Sequence, residues 1–241
     1  MFLRELRGSN LNQMSCSVKI CGITNCEDAY MVSEAGADYL GVLVNVPSSP
    51  RSLTAEKAKA IFSSSKIPSV LLTFDLRPDE VNDLVIELNP FGVQLAGDET
   101  EKDVLELRKI LTCEIWKSIH IPAAEAKEIK ANDIVDRISE FTKAGADRIV
   151  LDSAVSMGTK MQKGGTGQPF DWYLARDINA QADTFIFLAG GIKPDNVEDA
   201  IMQVNPAGID LSSGVEKSVG KKDPDLVKSL IYNVKRLEIS Q

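Results

Sequence analysis

A cysteine at position 21 and an aspartate at position 152 each close a short apolar run, Lys19-Ile20-Cys21-Gly22 and Val150-Leu151-Asp152-Ser153. If both runs are strands of one parallel barrel, a thiol and a carboxyl face each other across one mouth. Such a pair is a general base and a general acid that needs no metal or redox cofactor between them. A free thiol, with a reference pKa near 8.5, is only about a few per cent thiolate at neutral pH. Cys21 therefore needs donors nearby to act as a base, and a buried structural cysteine is the alternative reading. Asp152 needs partial burial beside apolar walls to hold a proton at neutral pH. Its alternative is a loop carboxylate that caps a helix.

The elements that must position this pair follow from the apolar pattern. Strand-like runs fall at Val18–Cys21, Tyr39–Val44, Ile67–Thr73, Phe91–Leu95, Glu114–Ile119, Arg148–Leu151, Thr184–Ala189 and Gly208–Leu211. Helical-period segments follow each: Glu27–Ala35, Thr54–Phe62, Pro78–Leu88, Glu99–Leu111, a polar helix within Ala124–Ala144, Asp171–Ile178, Asn196–Val204 and Asp225–Leu237. Short, continuously apolar strands alternating with helices predict a parallel sheet covered on both faces. Eight such units with no linker predict an α/β fold, a single (β/α)8 TIM barrel over residues 17–241, behind an N-terminal extension of residues 1–16. Ala35-Gly36-Ala37-Asp38 and Ala144-Gly145-Ala146-Asp147 repeat at two predicted helix ends, where glycine suits a left-handed cap.

Composition narrows the function. The 241 residues carry a net charge of −8, which speaks against nucleic acid and against a polybasic membrane patch. No apolar run is long enough to span a bilayer and no secretion signal opens the chain, so a cytoplasmic location is expected. The four cysteines form no CxxC pair and the chain has one histidine, His120, which excludes a paired-ligand zinc site. Neither GxGxxG nor a Walker-type loop is present, so no dinucleotide cofactor is expected.

In a barrel of this type chemistry gathers at the C-terminal strand ends. Ala189-Gly190-Gly191-Ile192 and Leu211-Ser212-Ser213-Gly214 end the seventh and eighth predicted strands. Two turns of small residues there let backbone N–H groups approach a phosphate, with a short helix starting near Ser213. Lys163-Gly164-Gly165-Thr166-Gly167 reads as a mobile lid or as plain flexible loop. Arg51, after the second strand, is either a bidentate carboxylate clamp or a solvated loop arginine.

Taken in order, Lys19-Ile20-Cys21-Gly22-Ile23-Thr24, Ser49-Pro50-Arg51, Val93-Gln94-Leu95, Leu151-Asp152-Ser153, Gly164-Gly165-Thr166-Gly167 with Phe170-Asp171-Trp172, Leu188-Ala189-Gly190-Gly191-Ile192 and Gly208-Ile209-Asp210-Leu211-Ser212-Ser213-Gly214-Val215-Glu216 closely resemble the phosphoribosylanthranilate isomerases of tryptophan biosynthesis. The resemblance runs from about Val18 to the last helix. It implies a cofactor-free Amadori rearrangement of N-(5′-phosphoribosyl)anthranilate, a small phosphoribosyl substrate, by a monomer or homodimer. It also implies Asp152 as acid on the ribose ring oxygen and Cys21 as base at C2′. Arg51 would hold the anthranilate carboxylate, Gly190, Gly191, Ser213 and Gly214 the phosphate, and Asp210 would be a further polar contact near the anthranilate end.

One position departs from the family pattern: Ala96 stands where the family usually has histidine. His120 is expected to fall after the fifth strand and not to replace it. The departure keeps two competitors in view, a related ketol-isomerase acting on another phosphosugar and a non-catalytic phosphoribosyl-ligand binder.

Overall fold

In the computed structural model, residues 16–122, 129–157, 160–163 and 171–239 are described. Eight parallel strands form the barrel: β1 (Ser17–Ile20), β2 (Tyr39–Leu43), β3 (Ser69–Thr73), β4 (Gly92–Leu95), β5 (Glu114–Pro122), β6 (Arg148–Met157), β7 (Phe185–Leu188) and β8 (Gly208–Leu211). Neighbours pair in sequence order, β8 pairs β1, and the β1–β8 register sets Lys19 opposite Asp210. The helices are α1 (Cys26–Ala35), α2 (Ala55–Ser64), α3 (Pro78–Leu88), α4 (Glu101–Ile110), α5 (Ala131–Ala144), α6 (Trp172–Gln181), α7 (Val197–Val204) and α8 (Pro224–Ile239). None of the described helices is long and apolar enough to cross a membrane.

Local sequence explains the boundaries. Asn25, Thr54, Thr100 and Asp171 cap α1, α2, α4 and α6 by accepting from backbone N–H groups of the first turn. Gly36 and Gly145 end α1 and α5 in the left-handed region, at φ of 99° and 113°. Strand residues alternate between two separate cores. One set, including Val18, Ile20, Leu71 and Ile149, packs outward against the helices. The other, including Val70, Leu72, Trp116, Val150 and Phe187, fills the barrel itself.

Two strands differ from the sequence reading. β5 runs on through His120 to Pro122, and β6 through Asp152 to Met157, where an antiparallel strand at Lys160–Lys163 folds back on it. Their pairing continues past the barrel proper, with His120 opposite Asp152 and Pro122 opposite Ala154. His120 is therefore a strand residue and not a loop residue. The polar helix expected within Ala124–Ala144 occupies Ala131–Ala144. The Gly164–Gly167 loop and nearly all of the 1–16 extension lie outside the described residues.

The lower end of the barrel is sealed by a satisfied cluster. Arg148 donates through Nε and Nη2 to Glu114 at 2.7 and 3.0 Å, and Trp116 Nε1 donates to the same carboxylate at 2.7 Å. The Arg148 guanidinium lies 5.2 Å from the Trp116 ring and 5.6 Å from that of Tyr39. Trp116 and Phe187 pack with centroids 4.7 Å apart.

Candidate active site

At the opposite end the strand tips surround a cavity of about 440 Å³. All eight residues singled out from the sequence line it: Cys21, Arg51, Asp152, Gly190, Gly191, Asp210, Ser213 and Gly214. Cys21 follows β1, Asp152 lies on β6, and Asp210 lies on β8.

The β1–β8 side carries the charge. Lys19 is fully buried and its Nζ donates to Asp210 Oδ2 at 2.7 Å. Burial disfavours its ammonium form, yet Asp210 and the Cys21 thiol beside it hold its pKa above the usual lysine value. A Cβ on Gly41 would stand 2.9 Å from Cys21 Sγ and 3.1 Å from Lys19 Nζ, so only a residue without one leaves room for thiol and ammonium to meet. Burial pushes the Cys21 thiol up, against the pull of Lys19 and Lys222 toward thiolate, with Asp210 adding to the rise. Asp152 accepts from the Ser153 backbone N–H at 2.8 Å. Burial and the nearby Asp210 carboxylate raise its pKa to about 7, outweighing that hydrogen bond and the Lys19 charge. A carboxyl in this state is about half protonated at neutral pH, so it can donate a proton there.

A second buried network stands behind the eighth-strand turn. Arg51 donates to Glu216 through Nε at 2.8 Å and Nη2 at 2.7 Å. Lys222 Nζ donates to Glu216 Oε1 at 3.0 Å and to the Ser212 carbonyl oxygen at 3.1 Å. Arg51 is thus neither solvated nor a free clamp: Glu216 fixes one edge of its guanidinium. Burial works to raise the Glu216 pKa, but Arg51 and Lys222 bring it below the ordinary value.

The turns after β7 and β8 differ in geometry. Gly190 and Gly191 both line the cavity and adopt positive φ, 83° and 66°, a conformation that few other residues take without strain. The second turn forms a single 3-10 turn, Ser213–Val215.

Sequence reasoning left Lys19, Lys222 and Glu216 without roles. A lysine inside Val18-Lys19-Ile20-Cys21 was itself a signal, because buried lysines are rare unless paired. His120, expected after the fifth strand and not as a replacement for the family's histidine, lines the cavity, and its Nε2 donates to the Ala96 carbonyl oxygen at 2.8 Å.

The family model for N-(5'phosphoribosyl)anthranilate (PRA) isomerase matches residues 18–233. The chain belongs to this family of isomerases. The N-(5'-phosphoribosyl)anthranilate isomerase of Haloferax volcanii is 34% identical over 222 residues, covering 90% of this chain and 92% of its own. That of Methanocella arvoryzae is 36% identical, covering 90% and 97%. The crystal structure of the Thermotoga maritima enzyme superposes with a TM-score of 0.76 at 31% identity, covering 92% of this chain and all of that one. A family structure bound to reduced 1-(o-carboxyphenylamino)-1-deoxyribulose 5-phosphate gives 0.74 at 30% identity over the same shares.

Proposed function

We propose that this protein converts N-(5′-phosphoribosyl)anthranilate to 1-(2-carboxyphenylamino)-1-deoxyribulose 5-phosphate in tryptophan biosynthesis, with Asp152 as general acid and Cys21 as general base. Asp152 protonates the ribose ring oxygen, the C1′–O bond breaks, and the anilino nitrogen supplies the electron pair that forms an iminium. Cys21 as thiolate takes the proton from C2′. The C2′–H pair becomes the C1′–C2′ double bond and neutralises the iminium, and tautomerisation of that enolamine gives the ketone. The observation that supports this most is the placement of both groups on one cavity, with Asp152 raised to about 7. Positioned proton transfer contributes roughly 10²–10⁴-fold per group.

The rest of the cavity fits the remaining substrate groups. Backbone N–H groups at Gly190, Gly191, Ser213 and Gly214 hold the phosphate. The guanidinium edge of Arg51 not bonded to Glu216 takes the anthranilate carboxylate. Asp210 keeps Lys19 beside the thiol through one oxygen and turns the other toward the substrate. A neighbouring structure shows monomers generated from the dimeric Thermotoga maritima enzyme, and a monomer or homodimer suits this chain, because every proposed group comes from one barrel.

The experiment is anthranilate fluorescence over time. Decay of the substrate signal with product formation supports the isomerase. Tight binding with no decay favours the non-catalytic reading, and preference for another phosphoribosyl compound favours a related ketol-isomerase.

A further inference from the structure

Across the barrel from Lys19 and Asp210, the strand side chains of β4 and β5 that line the cavity are uncharged, and the exposed carboxylate of Asp75, after β3, stands beside them at the rim against Gly97. β4 and β5 present Gln94 and Ser118 there, followed by Ala96 and His120 nearer the rim. Gln94 is 3% exposed, and its Nε2 donates to Ser118 Oγ at 3.0 Å. Its Oε1 is buried and has no hydrogen-bond partner. Buried amide oxygens are seldom left this way in native proteins. Thr73 Oγ1 is equally unpartnered, but Thr73 does not line the cavity. Gln94 does, and in this arrangement its Nε2 is the end engaged by Ser118, which leaves Oε1 toward the cavity to be satisfied. A phosphate or carboxylate would repel that oxygen, and both already have donors on other walls. What remains on a phosphoribosyl aryl amine is neutral: sugar hydroxyls and the anilino N–H.

We propose that Gln94, oriented by Ser118, is a specificity-determining contact whose amide oxygen accepts a hydrogen bond from a neutral O–H or N–H of the substrate. The assignment rests on the isomerase reading and names what that substrate meets on its far wall. His120 completes the wall: by donating to the Ala96 carbonyl it satisfies that backbone group and leaves the substrate's donor to Gln94.

The test is the double variant Gln94→Met/Ser118→Ala, which removes both partners at nearly constant volume. Two probes are titrated: the reduced product analogue, and 5-(2-carboxyphenylamino)pentyl phosphate, which keeps the phosphate, carboxylate and N–H but has no hydroxyl. Affinity for the reduced analogue falls about tenfold, the worth of one neutral hydrogen bond, while Tm holds or rises because no polar atom is left stranded. Loss confined to the hydroxylated probe identifies a sugar hydroxyl as donor, and equal loss on both identifies the N–H. Unchanged affinity for both probes overturns the proposal, and so does a parallel fall of affinity and Tm. If the double variant does not fold, Ser118→Ala alone decides, titrated well below its Tm, which falls because Gln94 Nε2 loses its partner: a smaller loss of affinity in the folded protein supports the contact, and none overturns it. A wild-type protein that neither turns over the anthranilate substrate nor binds the probes rejects the isomerase reading. An active wild type beside an unaffected variant rejects only the role of Gln94.

Discussion

The two ends of this barrel are built from the same alternating strands, yet they treat polar groups in opposite ways. At the lower end Glu114 accepts from Arg148 and from Trp116, and rings surround the guanidinium. At the upper end Asp210 Oδ1 and Gln94 Oε1 are buried without partners, and the Asp152 pKa is raised to about 7. One end uses polarity to close the structure, and the other keeps it in reserve for a ligand. The division matches the general behaviour of such barrels, in which the bottom supplies stability and the top supplies chemistry.

The contrast can be broken from either side. The largest effect is expected at the top: Cys21→Ala and Asp152→Asn each lower kcat by about 10²–10⁴-fold with an unchanged circular-dichroism spectrum, and near-native turnover in either would reject the assigned role. Trp116→Ala at the bottom should do the reverse, costing about 3–5 kcal/mol of stability by urea titration. The folded fraction should keep its kcat, so a large kcat loss there would mean that the two ends are not separable.

A third prediction sharpens the comparison through pH. The Asp152 pKa is raised in the folded state, so the unfolded chain releases this proton first as pH rises. Stability is therefore lost between about pH 4 and 7, by at most about 4 kcal/mol for a shift from 3.8 to about 7. Asp152→Asn removes this dependence, so it should exceed the wild type in stability at pH 8 and not at pH 3.5. A variant that is no more stable at pH 8 would contradict the burial argument. The smallest effect concerns Lys19→Met. Without its ammonium the Cys21 thiol pKa rises further, and a rise of one unit lowers the thiolate fraction about tenfold. The pH dependence of iodoacetamide alkylation at Cys21 measures this, and an unshifted profile would show that Lys19 does not support the thiolate.

Much of this was legible in the sequence, for identifiable reasons. Cys21, Asp152 and the glycine turns end short apolar runs, so strand periodicity alone delivers them to one rim. The extension of β5 was hidden because the apolar run is interrupted at His120 and Pro122 follows two residues later. The ion pairs were hidden because their partners are remote in the chain: Lys19 and Asp210 are 191 positions apart, and Arg51 and Glu216 are 165. Pairing of that kind is decided by register, which no local pattern records. The unpartnered oxygen of Gln94 lies further still from what sequence can show, because it is defined by what surrounds it.

The proposed proton transfer needs a carboxyl that titrates at about neutral pH, with a thiol on the same cavity. The most direct measurement is a ¹³C NMR titration of the Asp152 carboxyl, assigned by the loss of its signal in Asp152→Asn. A midpoint at about 7 is the predicted result. A midpoint near 4, the ordinary aspartate range, would leave no proton to donate and would contradict the mechanism.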